Sequence, residues 1–353
     1  MNILVAITLW SISSTVIASS FLGLPTMAIP VANPQSLEKI AFGKKLFHDV
    51  RFSTTNTISC ASCHDARKAF TDSYEKAVGV FNSIGVRNTP TLLNVGFFEH
   101  LFLDGRESSL ENQALKPILN SIEHGLSNQS QVLKIILADA EYISQFKMVF
   151  DIDKSEISPR HMEKAIASYE RTLISGNSPF DKYYFGRDKT QLSPSAARGL
   201  RIFRRKGNCA NCHEISWDNA LFMDNRFYNI GIEYEVLSEI ISTLVSASKQ
   251  GKRLSRFSLT DPHKSALGRF QVTGRISDIG KFKTPTLRNI ELTDPYMHNG
   301  SVKTLMEVVE YYDQGGHDNP FLDAAIFPLH LTEQEKKDLV AFMSSLTGAS
   351  VDE

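Results

Sequence analysis

All four cysteines of this chain fall in two copies of one five-residue pattern, Cys60-Ala61-Ser62-Cys63-His64 and Cys209-Ala210-Asn211-Cys212-His213. Cys-x-x-Cys-His is the attachment sequence of c-type haem: two thiols add across the vinyl groups, and the adjacent His supplies the proximal nitrogen to iron. A redox dithiol or half a zinc site would not explain a His directly after both second cysteines. The fold must therefore accommodate two haem c groups. One site lies in each half of a chain of 353 residues, a length that suits about two domains.

Hydrophobic content of 42% and charged content of 22% are those of a soluble globular protein. A formal charge of -1 argues against nucleic-acid binding and against attachment to an anionic membrane surface. Residues 3–29 carry no charged side chain. They read as a secretory leader over residues 1–29 with cleavage somewhere after Ala18, or as a retained N-terminal anchor. Export agrees with the haem sites, because covalent attachment takes place outside the cytoplasm and consumes every thiol, leaving none for disulfides. The expected location is the periplasm.

Apolar periodicity predicts helices over 36–47, 131–148, 161–174, 194–205, 303–312 and 333–346. The clearest is 161–174, with Met162, Ala165, Ile166, Tyr169 and Leu173 on one face. Ser175–Pro179 breaks it. Thr332 and Glu335 have capping-box spacing before the last helix. The polar stretch Gly186–Ser195 divides an N-terminal haem domain, 30–186, from a C-terminal one, 187–353. Lys249, Lys252, Arg253 and Arg256 make a basic loop, either a solvated loop or a docking patch for an acidic donor protein. Strand signals are sparse. The expected fold is mostly α, with two cytochrome-c-like haem domains in tandem.

Several further segments carry a family likeness: Asn88-Thr89-Pro90-Thr91-Leu92-Leu93-Asn94, Asp104-Gly105-Arg106, Glu170–Ser175, Phe282–Asn289 and Pro295-Tyr296-Met297-His298-Asn299-Gly300. With both haem motifs, they make the chain, from about Leu37 to Leu346, resemble the bacterial di-haem cytochrome c peroxidases, including the MauG branch. The resemblance implies a peroxidatic N-terminal haem, an electron-relaying C-terminal haem and a calcium ion between them. It also implies hydrogen peroxide as substrate and a small cytochrome c or cupredoxin as electron donor. Relatives are often dimers, which makes a homodimer a candidate assembly, although the sequence marks no interface.

In many such proteins a His from the loop after the first motif caps the peroxidatic iron until reduction. Here no His lies between His64 and His100, so an open first haem is expected. Where the family's peroxidases place a Met, fourteen residues after His298, this chain has Tyr312, as in MauG. Tyr312 is the candidate sixth ligand of the second haem. The competing assignment makes it a core aromatic and gives the iron Met306 or Met297. Gln113, Pro117 and Glu123 match the family's distal Gln, Pro and Glu. Glu123 is then the acid–base residue, Gln113 orients peroxide and Pro117 packs on the haem face. Asn88, Thr293 and Pro295 match the calcium positions, an amide oxygen and two backbone carbonyls suiting a hard cation. A plain turn is the alternative for 293–295. One departure stands out. Leu103 occupies the place of the usual inter-haem Trp, so transfer would run between haem edges, helped by Phe98 or Phe102. Two other functions stay open beside the peroxidase: a MauG-like peroxide-dependent oxidase of a protein or small molecule, and a di-haem electron carrier.

Overall fold

A computed structural model describes residues 21–239, 241 and 262–350. Residues 1–20 of the leader expected over 1–29, and the basic loop at 249–256, lie outside the described residues. The longer helices are α1 (Leu37–Phe47), α2 (Gln129–Leu137), α3 (Ala140–Phe150), α4 (Pro159–Glu170), α5 (Pro179–Tyr184), α6 (Pro194–Phe203), α7 (Leu305–Asp313) and α8 (Glu333–Ser344). Strand is confined to two antiparallel two-residue pairs among the described residues. β1 (Ser175–Gly176) pairs with β4 (Ala349–Ser350), and β2 (Phe227–Tyr228) with β3 (Phe282–Lys283). The fold is mostly α, as the periodicity predicts.

Among the described residues, two large hydrophobic cores stand beside a small third one of Leu237, Ala266, Leu267, Phe270 and Ile279. The first runs from Phe42 to Leu173, and the second gathers Phe180, Leu200, Phe203, Phe222, Leu339 and Phe342. They are built alike. In each, a helix ahead of the haem motif crosses a helix behind it at close range, and a glycine permits the approach. A Cβ on Gly43 in α1 would stand 2.0 Å from the Ala165 carbonyl oxygen in α4. One on Gly199 in α6 would stand 1.9 Å from the Asp338 carbonyl oxygen in α8. One turn further along, Phe47 and Phe203 are fully buried in the two cores.

Helix ends follow their capping residues. The single helix expected over 131–148 is two helices, because Asp139 accepts hydrogen bonds from the backbone N–H groups of Glu141 and Tyr142 and starts α3 afresh. Asn128 caps α2. The helix expected over 161–174 stops at Glu170. Thr332 and Glu335 form the reciprocal capping box at α8. Helix α5, with Phe180, Tyr183 and Tyr184, packs into the second core although it precedes the polar stretch Gly186–Ser195.

Candidate active site: two haem cradles and a desolvated carboxyl

The two Cys-x-x-Cys-His segments sit in matching surroundings. Cys60–Cys63 is a short helix capped by Ser59, and Cys209–Asn211 is a single tight turn. The four thiols are unlinked. Burial pushes the Cys63 and Cys209 thiols up to about 12 and raises Cys60 and Cys212 as well. All four are half-buried.

Each motif His is oriented through its Nδ1. His64 Nδ1 lies 2.9 Å from the Phe70 carbonyl oxygen, and His213 Nδ1 lies 2.8 Å from that of Phe222. That contact leaves Nε2 of both rings for iron. Phe70 and Phe222 adopt the same left-handed backbone, φ 58° and 54°, which turns these carbonyls inward. Two threonines hold the turns. Thr91 Oγ1 donates to the Ala69 carbonyl at 2.6 Å, and Thr286 Oγ1 donates to the Leu221 carbonyl at 2.7 Å. Phe47 and Phe203 lie against the two His rings, with centroids 6.5 and 6.4 Å apart respectively. Thr89-Pro90-Thr91-Leu92-Leu93-Asn94 and Thr284-Pro285-Thr286-Leu287-Arg288-Asn289 are therefore one repeated device. The repeat was legible in the sequence; its purpose, steering the proximal His through a carbonyl, was not. Paired thiols, a His with one nitrogen tied and the other free, and an apolar wall fit haem c at both places.

Glu123 lies close to the first motif, whose two thiols feel its charge, on the turn closed by Pro117; Gln113 lies on the helical turn ahead of it. Gln113 ends the helical turn Leu110–Gln113 and is half-buried. The Pro117 carbonyl accepts the N–H groups of Asn120 and His124, closing the turn that presents Glu123. Glu123 Oε1 accepts from Asn120 Nδ2 at 2.8 Å, leaving Oε2 for a proton. Its carboxyl is held above the usual range. Desolvation is the main cause, and the nearby Arg106 and Arg87 guanidiniums oppose it. The charge of Glu123 is in turn felt by both thiols of the first motif. The loop after that motif folds against this turn. Val80 N–H donates to the Glu123 carbonyl, and a Cβ on Gly79 would meet the Ile122 carbonyl at 2.0 Å.

Tyr312 lies on the inner side of α7. Burial raises its phenol, and the next largest causes are the thiols of Cys209 and Cys212, so its hydroxyl faces the second motif. Tyr311 turns away, donating to the Ile230 carbonyl at 2.7 Å. Asn88 is bonded to the segment that follows Thr293 and Pro295. Its N–H donates to the His298 carbonyl, and its Nδ2 donates to the Tyr74 carbonyl at 2.9 Å. Oδ1 of Asn88 is thereby left free of that contact. No cluster of three His, Cys, Asp or Glu side chains suited to a metal occurs among the described residues.

The seam between the halves is cationic. Asp104, fully buried, pairs with Arg87 at 2.6 Å and Arg106 at 3.0 Å, and Arg269 donates to the carbonyls of Asp104 and Gly105. Phe102 and Phe98, the aromatic candidates for assisting transfer, lie under cations: Arg106 is 3.2 Å from the Phe102 centroid and Lys283 Nζ is 4.2 Å from that of Phe98.

Residues 37–189 match the family model for di-haem cytochrome c peroxidase, and residues 196–347 that for cytochrome c. A cytochrome-c peroxidase IdrP1 from Denitromonas iodatirespirans is 36% identical over 92% of this chain and 85% of its own length. The chain belongs to the di-haem cytochrome c peroxidase family. The methylamine utilization protein MauG of Methylorubrum extorquens is 35% identical over 90% of this chain and 80% of its own length. A crystal structure of a MauG-like protein associated with microbial copper homeostasis superposes with a TM-score of 0.76 at 30% identity, covering 92% of this chain and 94% of that one. This di-haem peroxidase is thus an oxidoreductase with two cytochrome-c-like domains and two c-type haems.

Proposed function

We propose that this peroxidase reduces hydrogen peroxide to water at the N-terminal site, with electrons entering one at a time through the C-terminal site. The donor is a small redox protein, a cytochrome c or a cupredoxin. The haem iron supplies the coordination and electron chemistry. The polypeptide supplies the proton traffic, and Glu123, set close to the first pair of thiols with Oε1 tied to Asn120, is the observation that carries the reading. Peroxide needs a base to take the proton of the coordinated oxygen and an acid to return one to the departing oxygen. Glu123 Oε2 does both, while Asn120 fixes Oε1. The balance is one peroxide, two electrons and two protons to two waters, with the O–O bond broken. Gln113 orients peroxide, and Pro117 sets the turn. Tyr312 serves as the oxygen ligand at the second site, favouring the oxidised state relative to a thioether.

Replacing Glu123 by Gln tests this. Turnover of peroxide by the holoprotein should fall roughly 10²–10⁴-fold with both haems still attached. Unchanged turnover would remove Glu123 from the mechanism.

A second reading, peroxide-driven oxidation of an organic or protein substrate as in the MauG branch, is favoured by Tyr312 and by the His-free loop 65–87. Mixing the diferric holoprotein with one equivalent of peroxide separates the two. A prompt, lasting change in the haem spectrum without prior reduction favours the second reading, and silence until one electron is added favours the first.

Calcium held by Asn88 Oδ1 and the carbonyls of Thr293 and Pro295 is part of the proposal, as is a periplasmic location. No helix among the described residues is long and apolar enough to cross a membrane. The expected leader, with cleavage somewhere after Ala18, belongs to the proposal as well; Leu22 N–H donates to Asn177 Oδ1 and the Gly23 carbonyl accepts from Arg288. Because α5 packs into the second core, we assign it to the C-terminal haem unit.

A further inference from the structure

Lys283 occupies an unusual position for an ammonium group. It lies in β3, which pairs with β2, and its N–H donates to the Leu103 carbonyl at 2.8 Å, so it stands in the seam between the two haem domains. The side chain is only 8% exposed. Its Nζ rests over the Phe98 ring, no described carboxylate pairs with it, and burial alone lowers its pKa to about 8. The surroundings offer no help. Arg87, Arg106 and Arg269 already crowd the same seam, and Asp104 is shared by the first two. Phe282, the neighbour of Lys283, carries Arg87 on its ring face at 5.3 Å. Two of these arginines share the one carboxylate and Arg269 binds backbone carbonyls, which leaves Lys283 with only an aromatic face among the described residues.

A buried ammonium without a counter-charge costs several kcal/mol, roughly, and is retained where an anion completes it. No described carboxylate reaches Nζ. The haem groups bring carboxylates of their own, since each haem carries two propionates. We propose that Lys283 binds a haem propionate in the seam between the two domains, completing an ion pair that the polypeptide leaves half-made. The proposal rests on the two Cys-x-x-Cys-His segments being haem sites and is independent of peroxide chemistry. It has a consequence for electron flow. A cation over an aromatic face is stabilised by the electron density of that ring, so removing an electron from the ring becomes harder. Phe98 under Lys283, and Phe102 under Arg106, are poor stations for a migrating hole. Transfer then runs directly between haem edges, along the propionate that Lys283 holds.

The test uses holoprotein carrying Lys283→Met, Lys283→Gln or Lys283→Arg. Haem content is measured first, so that loss of the haem reading itself would be seen as missing haem in the unsubstituted protein. Spectroelectrochemical titration should then show one haem potential moved to more negative values in the Met and Gln variants, because a positive charge near iron has been removed, with Arg restoring it. Resonance Raman supplies a second readout on the unsubstituted holoprotein: the propionate bending band should shift in heavy water and lose that sensitivity in the Met variant, which has no exchangeable donor. Both potentials unchanged in Met and Gln, or a propionate band insensitive to heavy water, would overturn the proposal. So would an Arg variant that behaves like Met, which would make Lys283 a packing residue.

Discussion

Glu170 shows how a single carboxyl reports on its surroundings. It ends α4, is 4% exposed, and its Oε2 has no hydrogen-bond partner among the described residues. Desolvation pushes its pKa up to about 8, with the neighbouring Arg171 pulling the other way. A carboxyl whose folded pKa is raised binds its proton more tightly in the native state than in the unfolded one. Its contribution is fully present below the unfolded pKa and is lost as pH climbs from about 4.5 to about 8. The loss should reach roughly a few kcal/mol. Thermal melts across that interval should show the wild type weakening with pH and a Glu170→Gln variant holding level. A variant that weakens in parallel would mean that Glu170 ionises freely. Neither the burial of Glu170 nor that of Lys283 was readable from the chain. Both residues were noticed only as letters in family segments, because the environment of a charge is assembled from residues far apart in sequence.

At the scale of the element, each domain depends on one helix crossing. Gly43 in α1 and Gly199 in α6 lie against backbone rather than against a flexible side chain. Replacing either by Ala should force the helices apart and cost about 1–3 kcal/mol, seen as a lower Tm of the holoprotein. The two substitutions should weaken different haem sites, since Phe47 and Phe203 follow these glycines and press on His64 and His213 respectively. Equal Tm values for variant and wild type would show that the crossings yield without strain. The helices themselves were largely legible. Period and caps predict α1, α6, α7 and α8 to within a few residues. The expected 131–148 helix missed Asp139, whose side chain competes for the backbone and divides the segment in two.

Over the whole molecule, a buried ion pair centred on Arg288 joins sequence-distant segments. Arg288, just beyond the second Thr-Pro-Thr, is 2% exposed and reaches Asp181 through both terminal nitrogens, at 2.8 and 2.9 Å. The same guanidinium donates to the carbonyls of Gly23 and Ala220. It thus fixes the start of the described chain, α5 and the loop after the second haem motif to one another. Arg288→Met would leave Asp181 buried and unpaired, and should cost about 3–5 kcal/mol. Its signature is a large fall in Tm with the second haem the more easily lost. A fall below 1 kcal/mol, measured by about the same melt, would mean that water replaces the guanidinium without penalty.

The sequence by itself determined the two haem attachments, the mostly helical fold and the family, because these rest on local spacing: two thiols and a His within one turn, apolar residues every three or four positions, and short segments that recur intact. Tertiary structure decided which groups meet. It turned the Phe70 and Phe222 carbonyls toward the two His rings, half-buried Glu123 near the first pair of thiols, brought Tyr312 toward the second pair and set Lys283 beside Leu103 with no described carboxylate. Each of these outcomes depends on desolvation and on contacts between remote segments, and neither property is carried by any single stretch of chain.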